Sequence, residues 1–221
     1  MNPSKWPARA VLPIAVPGLK FVFLTILMTG MLFYFGWTAT ASVCLGLTLF
    51  VCWFFRDPER LIPAGENVFV SPADGRVIIV ENLPFCEYLD VPCKKVSIFM
   101  NVFNVHVNRV PFDGVVERVQ YNPGKFINAS FDKASVHNER NALIVKTAAD
   151  KKFAVVQIAG LIARRIVNCV QAGEQIKKGD RYGMIQFGSR LDLYLPLDFE
   201  VCVKIGDKTK AGSTVIGTMP C

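Results

Sequence analysis

Hydrophobic patterning divides the chain into two regimes. From Phe21 to Phe55 no charged residue occurs in 35 positions, "FVFLTILMTGMLFYFGWTATASVCLGLTLFVCWFF". Beyond Arg56 the apolar residues come in short runs broken by Gly, Pro, Asn and Asp. A helix crosses a bilayer core in about 20 residues, so the first stretch is too long for one upright span and slightly short for two ordinary ones. It predicts two short spans, about residues 21–35 and 38–55, bent near Gly36. One tilted or partly re-entrant helix is the competing reading. A cleaved signal peptide at Ala39-Thr40-Ala41 is disfavoured, because the apolar run continues for 14 residues beyond Ala41 and exceeds a normal signal core.

The second regime reads as strands: "GRVIIVENL", "KKVSIFMNVFNVHVNRV", "GVVERVQY", "NALIVKT", "KKFAVVQIAG", "YGMIQF", "RLDLYLP" and "EVCVKIG". Short strands at this spacing predict a mainly β, barrel-sandwich-like domain over residues 56–221, preceded by an N-terminal membrane hairpin within residues 1–55. A brief helix is allowed within "ARRIVNCVQAGEQIKKGDRYGMIQFGS". Near the C-terminus, Leu191, Leu193 and Leu195 alternate with Asp192 and Tyr194, the period of two of a half-buried strand. Gly188-Ser189 interrupts that run after Tyr182–Phe187, and a glycine there marks a bulge or a close backbone approach.

Composition adds a constraint on location. The 221 residues are 52% hydrophobic, with a mean hydropathy of +0.33, enough for one well-cored domain plus the apolar segment. Lys5, Arg9 and Lys20 precede the apolar run and Arg56 and Arg60 follow it, so the excess of positive charge on the cytoplasmic side places both ends there. The net charge of +7 suits an anionic membrane face. The basic pairs Lys94-Lys95, Lys151-Lys152, Arg164-Arg165 and Lys177-Lys178 are scattered without interleaved aromatics, which argues against nucleic acid as a partner. The seven cysteines, Cys44, Cys52, Cys86, Cys93, Cys169, Cys202 and Cys221, form no C-x-x-C. Neither a disulfide framework nor a zinc site is indicated, and reduced thiols fit.

Candidate chemistry is sparse. The chain has two histidines, His106 and His137, in neither an H-x-H nor an H-E-x-x-H as a zinc peptidase needs, and Ser189 in "QFGSRL" is not a nucleophile elbow. His106 lies on an apolar run expected to be a strand, with Asn104 and Asn108 as its neighbours at period two, giving one polar face. Asp74 precedes Gly75 in "SPADGRV", a turn signal opening a strand. An aspartate facing a histidine would fix the tautomer of the imidazole and raise its basicity.

As a set, "WFFRDPER", "SPADGRV", "VFNVHVNR", "NERNAL" and "GMIQFGSRLDLYLP" resemble the phosphatidylserine decarboxylase family, in its short, membrane-attached type. The resemblance implies a proenzyme that cuts itself between Gly188 and Ser189. The Ser189 hydroxyl would attack the Gly188 carbonyl, elimination from the ester would release residues 1–188, and residue 189 would become a pyruvoyl group capping residues 189–221. It further implies a Schiff base between that pyruvoyl group and phosphatidylserine, loss of CO2, and release of phosphatidylethanolamine. No metal and no pyridoxal phosphate would be required. Asp74 and His106 match the family's acid-base positions. Long-type relatives carry a second histidine where this chain has Arg109, so Arg109, with Asn108, becomes a candidate for holding the substrate. His137 has no matching role and is expected at the surface. The implied state is a heterodimer of the two pieces, with a higher oligomer open, on the cytoplasmic face of the inner membrane. Two alternatives stand beside this reading: a membrane-anchored barrel-sandwich binding or carrier module without catalysis, and a pyruvoyl decarboxylase of a small soluble amino acid.

Overall fold

The computed structural model describes residues 13–130, 134–161, 165–186 and 188–220. The chain divides into two compact units, one spanning Arg9–Glu59 and the other carrying Arg60 onward.

In the first unit, a 3-10 turn at Val16–Gly18 leads into helix α1, Leu19–Tyr34, and helix α2 follows at Thr38–Phe54. Gly36, at φ +76°, makes the bend between them, a conformation in which a Cβ would clash with the backbone. The two helices pack against each other, and the hydroxyls of Thr29 and Thr48 meet at 3.1 Å between them. Each threonine also bonds a carbonyl one turn back in its own helix, which satisfies these buried polar groups in an apolar setting. Phe23, Leu24, Leu27, Val43 and Leu49 point outward. By length and composition Val16–Tyr34 suffices to cross a membrane, whereas Thr38–Phe54 is shorter. Lys5 and Arg9 lie outside the described residues.

The second unit is mainly β, as the patterning predicts. Its strands are β1 (Val68–Val70), β2 (Gly75–Cys86), β3 (Val91–Met100), β4 (Val107–Arg109), β5 (Gly114–Asn122), β6 (Arg140–Lys146), β7 (Lys152–Ala159), β8 (Ile166–Asn168), β9 (Gln175–Ile176), β10 (Arg181–Ile185), β11 (Ser189–Pro196), β12 (Glu200–Val201), β13 (Lys208–Thr209) and β14 (Val215–Thr218). A one-turn helix, α3 (Ala134–His137), precedes β6. The principal sheet has eight strands in the order β13-β2-β3-β11-β7-β6-β5-β9, and two three-stranded sheets, β1-β14-β12 and β4-β10-β8, accompany it. β11 is central: it pairs antiparallel with β3 along its whole length and with β7 from Ser189 to Tyr194.

Side chains alternate across a strand, and here both faces of the principal sheet are covered. One face contributes Val96, Ile98, Met100, Val155, Leu191 and Leu193 to the larger core, closed by Phe69, Tyr182 and Phe199. The other contributes Ala142, Ile144, Ala154, Val156, Ile158 and Tyr194 to a smaller core.

Four sequence expectations change. β11 is buried on both faces rather than one: Arg190 and Asp192 lie on the second face at 0% exposure, paired with each other instead of facing water. Gly188 is not a bulge within one strand, because β10 and β11 belong to different sheets and the chain passes between them at Gly188, φ +64°; Phe187 lies outside the described residues. The run through His106 is broken after Met100 by a turn, where Asn101 Oδ1 accepts from the Phe103 amide and Asn104 Oδ1 from the Asn101 amide. His106 therefore immediately precedes a strand instead of lying within one. No helix occurs among the described residues of 163–189; β8, β9 and β10 occupy that stretch.

Candidate functional site

The segments that carry the candidate residues meet at one end of the principal sheet. Ser189, the first residue of β11, sits opposite Met100 at the end of β3 and Ala159 at the end of β7. Asp74 precedes the first residue of β2, Gly75, which approaches the Phe99 carbonyl so closely that a Cβ there would lie 2.3 Å from its oxygen. His106 follows the turn that leaves β3. The strand it leads into, β4, returns to the same end through the Arg109 amide, which donates to the Pro72 carbonyl at 2.9 Å.

The Gly188–Ser189 bond is placed by close backbone contact. Gly188 adopts a left-handed φ of +64°, which glycine tolerates without the penalty a side chain would bring. Gly160, just after β7, packs its Cα against this peptide: a Cβ on Gly160 would fall 2.1 Å from the Gly188 oxygen. Ser189 is fully buried, and among the described residues its Oγ has no hydrogen-bond partner. A buried hydroxyl without a partner costs roughly 1–3 kcal/mol, a penalty natural structures carry at few places, functional ones among them. A cavity of about 240 Å³, bordered by Phe99, Asn101, Asn128, Ala129, Leu161 and Gly188, opens beside it.

Asp74 is held firmly. Its Oδ1 accepts from the Ala211 amide at 2.7 Å and its Oδ2 from the Arg60 guanidinium at 2.8 Å. The turn carrying it is pinned through the Ala73 carbonyl, which accepts from the hydroxyls of Ser71 and Thr209. Asp74 borders a second cavity of about 520 Å³, which shares Phe99 and Asn101 with the first. His106 is fully buried.

The two candidates for holding substrate are engaged within the protein. Asn108 is buried and its Oδ1 accepts from Gln157 Nε2 at 2.9 Å, while its amide reaches the sulfur of Met100, the strand partner of Ser189. Arg109 is 4% exposed and donates from Nη1 to the Gly179 carbonyl at 3.0 Å. Nearby, burial pushes the phenol of Tyr182 up from its usual range, so it remains a neutral hydroxyl. His137 is exposed at the end of α3, one residue before Asn138, whose side-chain amide donates to the carbonyl of Ala159, the strand partner of Ser189.

Three contributors escape the sequence reading. Arg60 stands in the "RDPER" run, yet nothing in its sequence context points to Asp74. Gly160 ends a strand like many glycines and is distinguished only by what packs on it. Arg190 chelates Asp192 through Nε (2.6 Å) and Nη2 (3.0 Å) and also donates to Ser97 Oγ. This fully buried pair lies directly after Ser189 on the opposite face of β11 and fixes the start of the strand.

Residues 47–217 match the family described as phosphatidylserine decarboxylase. A protein of Syntrophus aciditrophicus named phosphatidylserine decarboxylase proenzyme is 50% identical over 93% of this chain and 97% of its own. One from Geotalea uraniireducens with the same name is 49% identical over 94% of this chain and 97% of its own. A third, from Cupriavidus taiwanensis, is 52% identical over 78% of this chain and 80% of its own.

Proposed function

We start from the fact that this chain belongs to the phosphatidylserine decarboxylase family, and propose that it is made as a proenzyme and decarboxylates phosphatidylserine to phosphatidylethanolamine and CO2. In this reading the Gly188–Ser189 bond is cut by the chain itself and residue 189 becomes the pyruvoyl group. The observation that carries it is the conjunction at that bond: a left-handed glycine, a buried serine hydroxyl with no partner among the described residues, and a second glycine packed on the carbonyl.

The residues fit such a group. The Ser189 Oγ would add to the Gly188 carbonyl carbon, and the peptide C–N bond would break to give an ester. Loss of the Ser189 Cα proton with cleavage of the Cβ–Oγ bond would release residues 1–188 with a terminal carboxylate. Water would then replace the nitrogen left on residue 189, which departs as ammonia. Lacking a Cβ, Gly188 leaves its carbonyl open to attack. The absence of a side chain on Gly160 allows the chain to hold that carbonyl in place.

Once formed, the pyruvoyl group supplies an electrophilic carbonyl that engages the substrate amine and takes up the electron pair released with CO2. The protein's part is to position and to move protons. His106, buried at this sheet end, is assigned the proton transfers of cleavage and turnover, in which a positioned acid-base group typically contributes about 10² to 10⁴ in rate. Asp74, locked by Arg60 and the Ala211 amide, is assigned the carboxylate role. Arg109 and Asn108 are assigned to the walls of the site: their hydrogen bonds to Gly179 and Gln157 orient them.

The pieces are expected to stay together as a heterodimer, since β11 is held by hydrogen bonds to β3 on one side and β7 on the other. The apolar helix Val16–Tyr34 supports attachment to a membrane, and the flanking basic residues favour the cytoplasmic face of the inner membrane. The test is the intact mass of denatured protein. Wild type should appear as two pieces divided after Gly188, and Ser189→Ala as one chain. Cleavage persisting in the alanine variant would remove Ser189 from the mechanism.

A further inference from the structure

The larger cavity at the site end carries a charge arrangement that the chemistry at residue 189 does not use. Arg76 on β2 and Lys208 on β13 are direct cross-strand partners. Both are exposed, and both border the 520 Å³ cavity together with Lys210. Like charges placed directly opposite each other on a sheet repel and weaken it. Elsewhere on this sheet the half-exposed Lys152 is neutralised by Glu117 and the buried Lys95 by Glu81. Among the described residues no side-chain hydrogen bond or ion pair engages Arg76, Lys208 or Lys210. The one carboxylate bordering the cavity, Asp74, is occupied by Arg60 and the Ala211 amide. Three cations therefore converge on one concave surface without a protein counter-charge, an arrangement that favours a bound anion.

Its position relates it to Ser189. Arg76 pairs with Phe99, and Phe99 with Arg190, the residue after Ser189. Two strand spacings of about 4.8 Å set the Arg76 backbone on the order of 10 Å from the start of β11; Arg76 shares the Arg190 face, opposite the Ser189 side chain, so the headgroup would reach residue 189 around the end of the sheet, past Phe99 and Asn101. Phe99 and Asn101 form the partition between this cavity and the one beside Gly188.

We propose that Arg76, Lys208 and Lys210 form an anion subsite that holds the phosphodiester of the lipid substrate while its amine reaches residue 189. Naming the bearer of the phosphate rests on the decarboxylase reading; the anion site itself does not. Arg76 supplies a planar fork suited to two phosphate oxygens, and the lysines act as point charges.

The experiment uses the full chain in neutral detergent micelles, comparing wild type, the double variant Arg76→Gln/Lys208→Gln, the single Lys210→Gln, the conservative Arg76→Lys, and Lys177→Gln as an exposed cation elsewhere on the surface. Two ligands, inorganic phosphate and glycerophosphoserine, are titrated while thermal unfolding is followed, and KM and kcat are measured with phosphatidylserine in mixed micelles. Self-cleavage, which needs no lipid, reports that each variant folds. Both ligands should raise the unfolding temperature of wild type and neither that of the double variant. In the double variant KM should rise about tenfold or more, the scale of lost charge-assisted contacts, while kcat stays within about twofold; Lys210→Gln should show a smaller rise, and Arg76→Lys should recover part of the loss. An unchanged KM, or an equal rise in Lys177→Gln that would signal general attraction to the micelle, overturns the proposal. Stabilisation by inorganic phosphate alone would mark a free-phosphate site and overturn the assignment to substrate. If wild type neither cleaves nor decarboxylates but the unfolding shifts follow the expected pattern, the decarboxylase reading fails and the anion site stands.

Discussion

Ser189 is reactive in this account because of where the backbone leaves it, at the first position of a strand paired on both sides, with its hydroxyl turned into a region that offers no partner among the described residues. What the serine needs beyond that is a proton acceptor. His106→Ala should slow cleavage, turnover or both by about 10² to 10⁴. Asp74→Asn should do comparable damage, and combining the two should cost little more than either, since groups that act as a unit are not additive. Cleavage rates of the single and double variants, with CO2 release from whatever fraction matures, decide this. Fully multiplicative losses would mean that the two residues act independently, and a near-normal His106→Ala would leave the account without its acid-base group. At this scale the sequence nominates candidates and is silent about contacts. Ser189, His106 and Asp74 are nominated by motifs that resemble the family's, whereas the Arg60–Asp74 contact, spanning 14 positions, and the packing of Gly160 on Gly188 arise only when separate segments are brought together.

Among elements, β11 shows why period-two reading has a limit. Leu191, Leu193 and Leu195 alternate with Asp192 and Tyr194 as they would in a strand with one wet face, and Asp192 reads naturally as the wet side. The strand is instead central in an eight-stranded sheet covered on both faces, and the charge is cancelled internally by Arg190. Patterning registers polarity, and a buried ion pair has the polarity of a surface. Removing one partner of such a pair typically costs about 3–5 kcal/mol, because the other charge is left buried alone, while replacing both by apolar residues costs much less. Asp192→Asn should therefore lower the stability of the uncleaved Ser189→Ala chain by about that amount in denaturant unfolding. Arg190→Met/Asp192→Leu should lose less than Asp192→Asn does. A loss below about 1 kcal/mol in the single variant would show that the pair is not the anchor of this strand. The turn at residues 101–104 was hidden for a related reason: "NVFNV" alternates like a strand, and its two asparagines fold it by accepting hydrogen bonds from nearby backbone amides.

For the whole molecule, the proposed reading gives attachment to the apolar segment and chemistry to the β unit. Every residue assigned to the site lies at or beyond Arg60, in a unit with its own core. Deleting residues 21–55 should release the protein from sedimented membranes and leave self-cleavage intact; a deleted chain that still sediments with membranes in high salt would place an anchor in the β unit. That two apolar helices would meet at a bend near Gly36 was legible because charge-free length and one glycine suffice to signal it. Which strands would be neighbours was not, since β11 joins β3 and β7 across intervals that no local signal encodes. The central claim is that residue 189, after cleavage, is the group that engages phosphatidylserine. It is tested most directly by treating the processed enzyme with borohydride in the presence of phosphatidylserine and locating the lipid by mass spectrometry. The account predicts loss of activity and a lipid adduct on residue 189 of the 189–221 piece, absent when borohydride or lipid is omitted. An adduct on a lysine of the larger piece, or an undivided chain that remains active, would contradict it.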